Sequence, residues 1–144
     1  MLYNNCSQSD SLRLESIQRK AAVICTGAIN RTETCKLMAE LNWDSLSLRR
    51  TYAKLCLLFK IICKLTPLYL GQKYIQAVTV TRVLRINANS THRLVYPMCR
   101  IVCYQQSFFP STVKLWNALP NDIAQCNSIS LFKTSWGTRR CPGK

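Results

Sequence analysis

Nine cysteines and one histidine are the side chains in this 144-residue chain that first suggest chemistry. Thiolates bind zinc or attack electrophiles, and an imidazole can complete either kind of site. The cysteines stand at 6, 25, 35, 56, 63, 99, 103, 126 and 141, with no Cys-x-x-Cys pair and with Cys99 and Cys103 nearest together. A structural zinc site asks for four ligands in short-spaced pairs, which His92 and one loose pair do not supply. Nothing selects one thiol as the nucleophilic partner of His92, which reads as an exposed loop residue. An odd count without a secretory leader speaks against a disulfide framework. Several of these thiols fall on apolar helix faces, where free cysteine packs as a small hydrophobe. The expectation is no metal and no cofactor.

Carboxylates offer equally little. Asp44 reads as a helix cap and Asp122 stands alone, so no pair is placed to hold magnesium. Four glycines form no phosphate-cradling loop. The chain is therefore not expected to be an enzyme by itself. The triplets at Asn5, Asn30 and Asn89 match the glycosylation pattern, but without a secretion route they read as chance. The start "MLYNNCSQSD" lacks an apolar core, and the best apolar run, "LCLLFKIIC", is short and carries Lys60. An intracellular setting, cytoplasmic or nuclear, with no membrane partner is expected.

Charge is the dominant signal. Lys and Arg number 20 against six acidic residues, a formal charge of +14. From Asp44 to Asp122 there is no acidic residue, while Arg49, Arg50, Lys54, Lys60, Lys64, Lys73, Arg82, Arg85, Arg93, Arg100 and Lys114 fall between them. Such cations must face water, phosphate or another subunit, and a polyanion is their natural partner. A basic solvated surface without a specific partner is the plainer alternative.

The elements that must position these residues are helical. In "SLRLESIQRKAAVICTG", Leu14, Ile17, Ala21 and Ile24 recur at three- and four-residue steps, and Gly27 follows as a terminator. Asn30 and Glu33 resemble a capping box ahead of a short face of Leu37, Met38 and Leu41, closed by Trp43. Asp44 or Ser45 caps the longest segment, where Leu48, Tyr52, Leu55, Phe59 and Ile62 form one face and Arg49, Arg50, Lys54, Lys60 and Lys64 the opposite arc. Leu57 and Ile61 fall within that cationic arc, and Pro67 ends the segment. Residues 77–103 are β-branched and read as a short β-hairpin or an ordered loop, punctuated by Arg82, Arg85, Arg93 and Arg100. A helix opens at Pro110 and closes before Pro120, and a last one runs from Ser128 through Phe132 to Trp136. The expected fold is mainly α: four to five helices in one basic domain over 11–136, after a loose segment 1–10 and before a basic tail 137–144. The 144 residues suit one domain with a real core.

The stretch "SFFPSTVKLWNALPNDI" sets a choice between base stacking and core packing. Aromatic platforms stack bases, but Val113, Trp116 and Leu119 share one helix face. Trp43, Phe59, Phe108, Phe109, Trp116 and Leu119 are therefore read as core anchors.

Three segments in order carry a resemblance. "LESIQRKAAVICTG" matches on Leu14, Glu15, Gln18, Ala21, Ala22 and Gly27; the next segment on Leu41, Trp43, Leu46, Arg49 and Arg50; the last on Phe108, Phe109, Pro110, Thr112, Val113, Trp116, Asn117, Leu119 and Pro120. Together they resemble the segment beyond the polymerase core of LINE-like, non-LTR, jockey-type retrotransposon reverse transcriptases. Relatives often carry Arg where Ser111 stands, and the fingers and palm, with their metal-binding Asp-Asp motif, are not in this chain. The resemblance implies a non-catalytic fragment of an RNA-directed DNA polymerase. It would bind RNA or an RNA–DNA duplex through Arg49, Arg50, Lys54, Lys60 and Lys64, extended by Arg82, Arg85, Arg93 and Arg100. The alternative is an inert remnant, or an interaction module that packs on a polymerase core in cis or in trans. A cysteine-based metal or redox protein stands third.

Overall fold

Helices account for all regular structure in the computed structural model, which describes residues 7–29, 31–70 and 94–140, with side chains as far as 137. Seven helices stand among those residues: α1 (Gln8–Thr26), α2 (Thr34–Glu40), α3 (Leu46–Ile62), α4 (Val102–Gln106), α5 (Phe108–Asn117), α6 (Asn121–Ala124) and α7 (Ile129–Arg140). Residues 68–70 add one helical turn. The chain divides into two units, Met1–Tyr52 and Ala53–Lys144, with the division inside α3.

In the first unit α1 starts where Ser7 Oγ accepts from Asp10 N at 3.2 Å, satisfying one of the helix's orphan amides. It stops at Gly27, whose φ of 65° is the left-handed conformation that glycine adopts without steric cost. The buried face, however, is not the expected Leu14–Ile17–Ala21–Ile24 stripe. Gln18 and Ala22 are buried, while Ile17 is 61% and Ile24 80% exposed. The reason lies in backbone demand. Glu15 and Gln18 turn toward the polar groups at the start of α3, and side-chain capping of a helix start is worth about 0.5–2 kcal/mol, comparable to burying one more aliphatic side chain.

The second helix begins at Thr34 rather than with a side-chain cap, because Glu33 occupies the cap position without a capping hydrogen bond. It ends in a Schellman motif: Asn42 is left-handed at φ 52°, Trp43 N donates to Met38 O at 2.8 Å, and Asn42 N donates to Ala39 O at 3.1 Å. The same motif ends α3 ahead of Pro67. Lys64 is left-handed at φ 56°, with Leu65 N donating to Lys60 O and Lys64 N to Ile61 O.

The second unit is organised by aromatic packing. Leu55, Leu58 and Phe59 of α3 join Trp116, Ile123 and Phe132 in one buried cluster. Phe132 stacks on Phe59 with ring centres 4.7 Å apart, and on Trp116 at 6.0 Å. The buried face of α3 includes Leu58 and Ile61, while Ile62, expected on that face, is exposed. Helix α5 begins at Phe108, two residues before Pro110; the proline sits in the first turn, where its missing amide has no helical partner to lose. Ser128 Oγ accepts from Leu131 N at 3.2 Å and caps α7, which continues into the expected tail as far as Arg140.

No strand forms among the described residues. Of the expected hairpin over 77–103, residues 77–93 lie outside the described residues. Residues 94–100 are irregular, and the chain then enters α4. Backbone at Leu94 pairs instead with a side chain: Leu94 N donates to Asn117 Oδ1 at 2.9 Å, and Asn117 Nδ2 donates to Leu94 O at 2.8 Å. One amide thus satisfies both groups that a strand partner would have taken, and Pro97 lacks the amide to continue a ladder.

Candidate nucleic-acid interface

The longest run of expected phosphate contacts lies on α3, whose start is held by an acidic side chain. Glu15 Oε1 accepts from Ser47 N at 2.9 Å and Oε2 from Leu46 N at 3.3 Å. Ser45 Oγ accepts from Leu48 N at 3.2 Å, so Ser45 supplies a side-chain cap. A carboxylate at a helix start also complements the positive end of the helix dipole. Asp44 contributes its backbone oxygen, which accepts from Gln18 Nε2 at 2.9 Å.

This anchoring divides the expected cationic arc in two. Arg49 and Lys60 are exposed on one side of α3, about 16 Å apart along the axis at 1.5 Å per residue. Lys64 is exposed just past the helix end. Arg50 and Lys54 are half-buried. Arg50 donates to Ser11 Oγ at 2.7 Å and Lys54 to Ser111 Oγ at 3.2 Å, while Ser111 Oγ itself donates to Ser107 O at 2.7 Å. Ile61 is buried between them on the wheel, so the face expected to be cationic is partly core. Elsewhere in the second unit Arg100 and Lys114 are exposed. Arg82, Arg85 and Arg93 lie outside the described residues.

The expected anchors also separate. Phe59 and Trp116 are buried, and Leu119 packs partly buried against their cluster. Phe108 and Phe109 are half-buried and meet edge to face with centres 4.8 Å apart. Trp43, expected in the core, is 38% exposed. Its place at the end of a Schellman turn puts the indole beside the surface rather than under it.

Thiol chemistry finds no assembly among the described residues. Their seven cysteines are free, and no three His, Cys, Asp or Glu side chains gather around a point that would suit a metal. Cys56 and Cys126 pack against the core of the second unit, whereas Cys25, Cys35, Cys63 and Cys103 are exposed rather than lodged on apolar faces. Desolvation pushes the Cys63 thiol above its ordinary value, the opposite of an activated nucleophile. His92 lies outside the described residues. No described helix is long and apolar enough to cross a membrane.

Comparison with family models, with curated proteins and with solved structures finds no match for the chain.

Three residues that organise the structure were not among the expected site or core residues: Glu15, Gln18 and Asn117. Hydrophobic periodicity is silent on them because they are polar. A signal was nevertheless present, since Glu15 and Gln18 stand three apart on one helix face and Asn117 follows the core tryptophan. All three belong to the motif segments that carry the resemblance.

Proposed function

We propose that this chain is the post-palm, C-terminal segment of a LINE-like retrotransposon reverse transcriptase, non-catalytic by itself, which binds RNA or an RNA–DNA duplex through exposed cations. The observation that carries the reading is Arg49 and Lys60 standing exposed on one side of α3, in an interval of sequence without a carboxylate. Contacts of this kind hold a backbone without reading its bases, and they release counterions as they form. The resemblance supports the reading at positions with evident structural purpose: Glu15 and Gln18 hold the start of α3, and Asn117 holds Leu94. Titrating a fluorescent single-stranded RNA with the full chain at rising salt tests it. Affinity falls linearly on a log–log plot if phosphate contacts drive binding, and a flat response rejects the proposal.

A second reading, a module that packs on a polymerase core, is favoured by Ile17 and Ile24, which leave apolar surface on α1 exposed. Ile17→Ser with Ile24→Ser separates the two. RNA affinity is unchanged under the first reading, whereas association with a polymerase core is abolished under the second.

A further inference from the structure

Helix α4 buries none of its side chains, and residues 101–106 are exposed without exception. What this part of the second unit shows to solvent is largely apolar. Met98, just ahead of the helix, is 89% exposed; Ile101 and Val102 are about two-thirds exposed, and Tyr96 and Tyr104 nearly half. Single exposed apolar side chains are ordinary, but five within residues 96–104 form a patch, and patches mark contact surfaces. The loop holds its own shape. Gln105 Nε2 donates to Cys99 O at 3.4 Å, Tyr104 N and Gln105 N donate to Ile101 O at 3.1 Å, and Cys99 Sγ donates to Pro97 O at 3.1 Å. Several backbone carbonyls are thus already satisfied, which lowers the cost of leaving bulk water. Charge supplies the second observation. From residue 53 on, Asp122 is the one acidic side chain. Lys60, Lys64, Arg100, Lys114 and Lys133 are exposed in the same unit, and Arg100 stands within the apolar stretch itself.

We propose that the loop 96–104 docks on an anionic lipid surface, its aliphatic side chains entering the boundary between headgroups and acyl chains with Arg100 at the phosphates. The proposal goes beyond the nucleic-acid reading and does not depend on it. Three arguments select this occupant. Phosphates take cations and bases take aromatic faces, so a polynucleotide would leave Met98, Ile101 and Val102 in water. A protein groove takes one apolar face of a helix, whereas α4 is exposed on every side, which suits a fluid medium that closes around it. The excess of cations in this unit is complementary to acidic headgroups, whose negative surface potential attracts basic side chains within a Debye length. Tyr96 and Tyr104 add rings with a wet hydroxyl, the character of side chains that settle at headgroup level. The contact is with one leaflet, which is why no spanning run announced it in the sequence; no described helix is long and apolar enough to cross a membrane.

The test floats the full chain with vesicles of phosphatidylcholine alone and of phosphatidylcholine mixed with phosphatidylserine, beside the variant Met98→Ser with Ile101→Ser. Both positions are exposed, and serine suits the residue that precedes a helix, so the variant keeps the fold. The native chain should float with the mixed vesicles and not with phosphatidylcholine alone. The variant should bind the mixed vesicles about tenfold more weakly. In bicelles of the same mixed lipids, a spin label on the acyl chain should broaden the Met98 methyl resonance, assigned by its loss in the variant. No flotation with the mixed vesicles, equal flotation with both kinds, equal affinity of variant and native chain (adsorption by charge alone), or an unbroadened Met98 methyl would overturn the docking. An equal loss of RNA affinity in the variant would assign the loop to nucleic acid and overturn it as well. The result is separate from the salt titration: flotation beside a flat RNA response rejects the phosphate track and keeps the lipid contact.

Discussion

The two units solve the same problem by different means. The second buries an aromatic cluster in which Phe132 stacks against Phe59 and Trp116. The first buries little beyond Ala22 and Leu37 and relies on polar side chains that close off backbone ends, Glu15 and Gln18 reaching residues 44 to 47. Area burial is non-directional and tolerates variation in partner, whereas a cap depends on one geometry. The lesson is that a helical segment with an apolar stripe need not bury that stripe when a neighbouring helix start has amides to satisfy.

The contrast can be broken at its strongest point. Replacing Trp116 or Phe132 with Ala should cost about 3–5 kcal/mol, the usual range for emptying a buried aromatic site. Denaturant melts would show it, and a cost below about 1 kcal/mol would mean the cluster is not the core. Next, Glu15→Ala should cost about 1 kcal/mol by removing the carboxylate that caps the start of α3, while Ile17→Ala, on the exposed stripe, should change stability by less than about 0.5 kcal/mol. The reverse order would restore the stripe as the buried face. Asn117→Asp sharpens the second unit: it keeps the acceptor for Leu94 N but loses the donor to Leu94 O, and about 1–3 kcal/mol is expected for the orphaned carbonyl. Exchange of the Leu94 amide, followed by NMR, separates that local opening from global unfolding. Smallest is Lys64→Gly, which removes a left-handed lysine and should stabilise by about 1 kcal/mol. It should also weaken RNA binding slightly, so stability and affinity move in opposite directions.

Much of this was legible in the chain. Gly27, the placing of Pro110 in the first turn of α5, Phe59 and Trp116 follow from rules in which local sequence and burial agree. Trp43 misled because aromatic size alone says nothing about the turn it occupies; Asn42 and the Schellman bonds decided its exposure. No strand forms over residues 94–103 because β-branched composition marks only a preference for pleated surroundings, and Asn117 offers Leu94 a side-chain substitute. The cationic arc was legible as a pattern but not as a surface. A wheel cannot tell that Ser11 and Ser111 take Arg50 and Lys54, since both partners come from distant sequence.

The most direct measurement of the central claim is the salt dependence of RNA affinity for the native chain beside Arg49→Gln with Lys60→Gln. The account predicts a steep linear decline for the native chain and a log–log slope shallower by about 1.4 in the double variant, about 0.7 for each single-strand phosphate left without its cation. Removing Lys54 by the same change should leave the slope nearly intact. A native slope near zero, or equal slopes for the native chain and the double variant, would contradict it.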